Sequence, residues 1–226
     1  MSTVAPQKKV LVTEAEGYLA AAVCFFLAQR GYFVIGTVKT MQSYELWILA
    51  SQMGRSFIPI VVPDPSKPNV FDEIFQAHPD ISAVIHMSAP ASLPSVDPKT
   101  LLNSKVAATN GVLSAAARYG PNVRRVVMTS AATCLLELIE SPLTFNRSEW
   151  ENYSVAYVNK QIQKLTESVP LVYRTSKTIS ETAAWNFVAS HQPKFELVTV
   201  QPVLAPTPPE KVVSYIMCFN SSFRRD

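Results

Sequence analysis

Cysteine and glycine are both scarce in this chain. Three cysteines, Cys24, Cys134 and Cys218, are too few and too scattered for a disulfide framework or a zinc site, so no metal is expected. Cys24 and Cys134 fall in apolar runs and read as small core residues. A protein that wraps its backbone around phosphate uses glycine to do so, and six glycines in 226 residues leave little to use. Long apolar runs are missing as well. The longest, Leu19 to Ala28, is far short of the roughly 18 residues that span a bilayer. "MSTVAPQKK" has no apolar segment of the signal-peptide kind, so a cytoplasmic protein without membrane contact is expected. Charge is sparse at 16%, and the net +3 is spread along the chain, which excludes nucleic acid as the expected partner. A small molecule is the expected ligand.

What is abundant is apolar periodicity. At 48% hydrophobic, 226 residues suit one α/β domain with a full core. Strand-like runs at 8–13, 32–38, 57–62, 82–87, 123–129 and 195–201 alternate with helical patterns near 17–30, 41–53, 70–77, 98–119 and 171–190. Such alternation predicts parallel strands joined by crossover helices, a doubly wound sheet of order 3-2-1-4-5-6 with helices on both faces. "RYGPNVRR" (118–125) reads as a helix stop before a strand. The stretch 135–170 lacks a clear period and reads as an excursion bordering the active site. Prolines are plentiful, and those of "QPVLAPTPPE" (201–210) end the sheet. The expected division is a Rossmann-like domain over 1–209 and a short tail over 210–226.

In a βαβ nucleotide site the first turn is rich in glycine. The first makes the tight turn, the second lets backbone approach the pyrophosphate, and the third lets helix pack on strand. The pyrophosphate then sits on free amides at the helix N-terminus. Here the turn reads "VTEAEGYLA" (12–20), with Glu14 and Glu16 among the small residues.

With that turn, the pieces "KVLVTEAEGYLA", "GYFVIGTVKT", "VVPDPSKPNVFDEIF", "VIHMSAPA", "TNGVLSAA", "VRRVVMTSAAT", "SPLTFNRSEW", "VYRTSKTISETAAWNF" and "FELVTVQPV" occur in order. Together they resemble the extended short-chain dehydrogenase/reductase family, in its branch of dihydroflavonol reductases and fungal methylglyoxal/aldehyde reductases. The resemblance runs from Lys9 to about Pro209 and implies a nicotinamide-dinucleotide fold. The family's turn reads T-G-A-x-G-[FY]-[IL]-[AG]. Gly17 matches its second glycine, Tyr18 the aromatic position and Ala20 the third small residue, whereas Glu14 replaces the first glycine. A carboxylate about 4 Å from a phosphate charge costs about 4 kcal/mol at an effective dielectric near 20, so NADPH is expected to bind weakly or not at all. Glu14 also brings a β-carbon to a turn position suited to positive φ. Lys39 falls where NADPH-preferring members carry a basic residue for the 2′-phosphate, and Asp64 matches the family's adenine-side aspartate.

The resemblance also implies the catalytic set Ser-Tyr-x-x-x-Lys. Tyr173 and Lys177 in "YRTSK" supply the last two, four apart on one helix face. An ammonium beside a phenol favours the phenolate, which lets the tyrosine exchange a proton near neutral pH. The serine is missing: Ala131 stands at its position, Ser130 one residue earlier and Thr133 two later. Neighbours on a strand face opposite ways, so Ser130 is not a simple replacement, and Thr133 serves only if the chain turns there. In "QPVLAPTP", Pro206 and Thr207 replace further family residues at the nicotinamide end. The family's C-terminal substrate domain is largely missing from this length of chain. In this family helices like 98–119 and 171–190 often form a dimer interface, so a homodimer is expected. Three functions follow. The first is a non-redox catalyst (isomerisation, dehydration or cyclisation) that uses Tyr173 and Lys177 on a small apolar metabolite. The second is an NADPH-dependent carbonyl reductase, and the third a non-catalytic binding or regulatory protein.

Overall fold

In the computed structural model, residues 8–42, 50–87, 97–131 and 169–202 are described. The first strand, β1 (Lys9–Val12), alternates its side chains between two cores: Leu11 faces one, Val10 and Val12 the other. All three are buried, as a central parallel strand requires. The next elements are α1 (Tyr18–Gln29), β2 (Phe33–Val38) and β3 (Phe57–Val61), followed by a short helix, α2 (Asp72–Ala77). Then come β4 (Ile81–His86), α3 (Pro98–Tyr119), β5 (Arg125–Thr129), α4 (Val169–His191) and β6 (Glu196–Val200). The strands pair in the order β3-β2-β1-β4-β5-β6, and every pairing is parallel. This is the doubly wound sheet that the alternation predicts.

The two cores assign the helices to faces. Ala20, Ala21, Cys24 and Phe25 of α1 pack with Val10, Val12, Val34 and Val38 on one side. Val112, Leu113 and Ala116 of α3, with Ala184 and Phe187 of α4, pack with Leu11, Ile35, Val84 and Val126 on the other. Cys24 is a core residue, and its burial pushes the thiol pKa up to about 12. Helix α1 ends through Gly31 at φ 81, the left-handed residue that closes many helices. Helix α3 begins on Asp97, whose carboxylate accepts the Thr100 N–H at 2.9 Å, with Pro98 at the first turn. It ends at Tyr119, just before the Gly-Pro of the stop signal.

Some boundaries differ from the periodicity. The expected helix 70–77 starts only at Asp72, because Asn69 is left-handed (φ 62) and Phe71 caps the helix. The expected helix 171–190 starts at Val169 and ends at His191. Of the expected helix 41–53, residues 50–53 are helical and 43–49 lie outside the described residues. Thr133, most of 135–170 and the tail 210–226 also lie outside them. No helix among the described residues is long and apolar enough to cross a membrane.

Candidate functional site

The order β3-β2-β1-β4 reverses direction between β1 and β4, and the carboxyl ends of these strands meet there. In an open α/β sheet this is where a ligand binds. The first turn is held tightly against β2. The Glu14 N–H donates to Thr37 Oγ1 at 3.0 Å and the Ala15 N–H to the Thr37 carbonyl at 2.8 Å. Gly36 makes this approach possible, since a β-carbon there would come within 2.7 Å of Ala15 Cβ and 2.5 Å of the Phe57 ring. The turn closes with the Gly17 N–H on the Glu14 carbonyl, and Glu14 takes φ 52. The position once suited to glycine therefore keeps its left-handed backbone, at a cost of about 1 kcal/mol for a residue with a β-carbon. Helix α1 begins after Gly17, an N-cap that makes no side-chain cap hydrogen bond to its first amides.

Both glutamates have found partners inside the protein. The Glu14 carboxylate lies 3.5 Å from Lys105 Nζ of α3, with the two side chains only 15% and 9% exposed. Glu16 turns the other way. Its two oxygens accept the Lys39 N–H at 2.9 and 3.0 Å, just beyond the end of β2. Beside the negative charge that the sequence places in this turn, the structure sets the Lys105 ammonium of α3. A shallow pocket lined by Glu14, Glu16, Thr37, Val38, Lys39, Val62 and Pro65 opens at this edge. Asp64 borders it in an Asx turn, accepting both the Ser66 N–H (3.0 Å) and hydroxyl (2.6 Å); these bonds hold its carboxyl below the usual carboxylate range.

Beneath the turn runs a buried polar chain. Thr13 Oγ1 is 2.9 Å from His86 Nδ1, and His86 Nε2 is 3.2 Å from Thr109 Oγ1. Thr109 donates its hydroxyl to the Lys105 carbonyl, so it accepts from His86, and the network assigns the proton to Nε2. Nδ1 then accepts from Thr13, whose oxygen takes the Met87 N–H at 2.9 Å. Burial, and secondarily the ammonium groups of Lys177 and Lys105, push the His86 pKa down to about 3. A neutral imidazole is thus fixed between two lysines.

Lys177 is buried on α4 and donates to the Thr129 carbonyl at 3.1 Å, at the carboxyl end of β5. Its ammonium lies 6.0 Å from the Tyr173 ring centre, one turn earlier on the same helix, and Tyr173 is half-buried. Ser130 Oγ is buried without a hydrogen-bond partner, its N–H bound to the Val200 carbonyl. Ala131, at the family's serine position, is also buried. The sequence-expected residues Gly17, Lys39 and Asp64 thus lie at the β1–β3 end, where Tyr18 is the first residue of α1, and Tyr173, Lys177 and Ser130 at the β5 end. Sequence reasoning missed Lys105 and His86. The motif "VIHMSAPA" contained the histidine, but nothing in the residues around Lys105 announced an ion pair.

The described residues fit a dinucleotide at its adenosine and phosphate half. The helix N-terminus carries no side-chain cap, Gly17 leaves its turn bare, and Val38, Val62 and Pro65 line the pocket at the end of β2 and β3. A family model described as the NAD dependent epimerase/dehydratase family matches residues 10–218. A ketoreductase of Aspergillus niger, azaE, is 30% identical over 95% of this chain and 62% of its own length. The NADPH-dependent methylglyoxal reductase GRE2 of Saccharomyces cerevisiae is 32% identical over 86% of this chain and 57% of its own length. The crystal structure of the yeast methylglyoxal/isovaleraldehyde reductase Gre2 complexed with NADPH superposes with a TM-score of 0.69 at 27% identity. It covers 86% of this chain and 57% of that one. The chain therefore spans about three-fifths of the length of these curated relatives.

Proposed function

Because this chain belongs to the NAD dependent epimerase/dehydratase family, we propose that it carries the proton-transfer half of a nicotinamide-dependent carbonyl reductase. The observation that carries the reading is Lys177, anchored on the Thr129 carbonyl beside Tyr173 at the carboxyl end of the sheet. The relatives azaE and GRE2, a ketoreductase and a methylglyoxal reductase, support the same chemistry over the non-redox reading. Gly17, Tyr18, Lys39 and Asp64 would hold the dinucleotide. When bound, it supplies the hydride.

The chain's own residues handle the proton. A ketone or aldehyde oxygen gains negative charge as its carbon is reduced, and the Tyr173 hydroxyl donates its proton to that oxygen. The phenolate left behind is stabilised by the Lys177 ammonium, whose position is set by the β5 backbone rather than by a flexible contact. Ala131 offers no hydroxyl to share the oxygen's charge, so Tyr173 and Lys177 act without the family's serine. That missing hydroxyl favours the second reading, in which the same pair catalyses an isomerisation or dehydration that leaves the substrate's oxidation state unchanged.

The test is consumption of NADH or NADPH with a panel of small ketones and aldehydes, for wild type and Tyr173→Phe. Removal of one hydroxyl should leave thermal stability near wild type and reduce turnover at least a hundredfold. Equal turnover by Tyr173→Phe would remove the pair from the mechanism. A substrate converted without change in nicotinamide absorbance would transfer the chemistry to the second reading.

A further inference from the structure

We infer that Glu16 sets the coenzyme preference of this site, selecting a ribose with a free 2′,3′-diol over one bearing a 2′-phosphate. The inference rests on the reductase reading and departs from the NADPH named for the relatives. Its basis is where the carboxylate lies. Glu16 belongs to the first turn, yet both its oxygens sit on the Lys39 N–H just beyond β2. In a doubly wound fold the end of the second strand is the ribose position. A carboxylate there accepts the 2′-hydroxyl, whereas a cation there accommodates a 2′-phosphate. In this chain the carboxylate comes from the turn instead of from β2, and it reaches the same place.

Lys39 offers the opposing charge, so the two must be weighed. The Glu16 carboxylate is fixed by a backbone donor, whereas the Lys39 ammonium is carried on an exposed four-carbon stem. Glu16 also consumes the Lys39 N–H, a donor that a 2′-phosphate would otherwise use. A diol meets none of these obstacles. It donates hydrogen bonds, and a carboxylate whose two oxygens share one N–H can accept more than that donor. A 2′-phosphate has only acceptors at neutral pH apart from a fractional proton, and it brings nearly two negative charges against a third. The apolar part of the pocket wall, Val38, Val62 and Pro65, makes no distinction between the two nucleotides.

Calorimetric titration of the full chain with NADH and with NADPH tests this without any turnover. Wild type should bind NADH at least tenfold more tightly than NADPH. Glu16→Gln keeps the shape and an acceptor but removes the charge, and it should shrink that ratio at least fivefold, mainly by tightening NADPH. Circular dichroism of the variant checks that the substitution at this half-buried position leaves the fold intact. Tighter binding of NADPH by wild type, or an unchanged ratio in Glu16→Gln, would overturn the role of Glu16 and leave the reductase reading standing. Absence of binding of either nucleotide up to millimolar concentration, in both proteins, would remove the reductase reading and this inference together.

Discussion

Acidification should weaken this protein through His86 before the hydrogen bonds that hold Asp64, Asp80 and Asp97 ionised are lost. The imidazole is fully buried with a pKa of about 3, against an ordinary value of 6.5. Between those values the unfolded chain binds a proton at this position and the native state does not. Stability is therefore complete above about pH 6.5 and declines as pH falls toward 3, by about 1.4 kcal/mol per unit. From pH 7.5 to pH 4.5 the loss is about 3 kcal/mol, a large share of the stability of an ordinary domain. Asp64, Asp80 and Asp97 are held below the usual carboxylate range, each mainly by a hydrogen bond, so their contributions are lost only below about pH 4. The His86 window thus opens well above the aspartate window. Urea denaturation at pH 7.5, 6.0 and 4.5, followed by circular dichroism, measures the slope. His86→Gln retains a donor and an acceptor for Thr109 and Thr13 but cannot be protonated. It should be less stable at pH 7.5 and nearly flat down to pH 4.5. An equal slope in wild type and variant would show that His86 is not the group that couples protons to folding.

Three further outcomes are expected. Glu14→Gly with Glu16→Thr relieves the left-handed strain and removes two carboxylates, so calorimetry should show NADPH binding strengthened more than tenfold, about 1.4 kcal/mol. Lys105→Met removes the ammonium beside a carboxylate only 15% exposed and should destabilise on the order of 2 kcal/mol in urea, with most of the loss recovered by adding Glu14→Gly. The proposed homodimer through α3 and α4 should appear in light scattering at micromolar concentration, and a monomer there would end that proposal.

Much of this architecture was legible because it rests on local period. Strands buried on both faces read as short apolar runs, and the "RYGPNVRR" stop placed the end of α3 correctly. The left-handed backbone at Glu14 was also legible, since the turn type fixes φ whatever side chain occupies it. The destination of the side chains was not. Glu14 and Lys105 are far apart in sequence and meet only because α3 crosses the sheet beside the first turn. Glu16 finds its donor just beyond β2 through the register of β1 against β2, Val12 opposite Gly36, which no local pattern encodes. The depressed pKa of His86 has the same origin: its burial is made by three elements at once, β1, β4 and α3.

The Glu14–Lys105 pair also bears on how this chain can change over generations. Placing glycine at position 14 alone would take a carboxylate away from the Lys105 ammonium, whose side chain is 9% exposed. Replacing Lys105 first would take the ammonium away from a Glu14 carboxylate only 15% exposed. Each single step back toward the family's first turn thus passes through a less stable protein, and only the joint change avoids it. Position 14 and position 105 are thereby coupled, and a change at either is felt by the other.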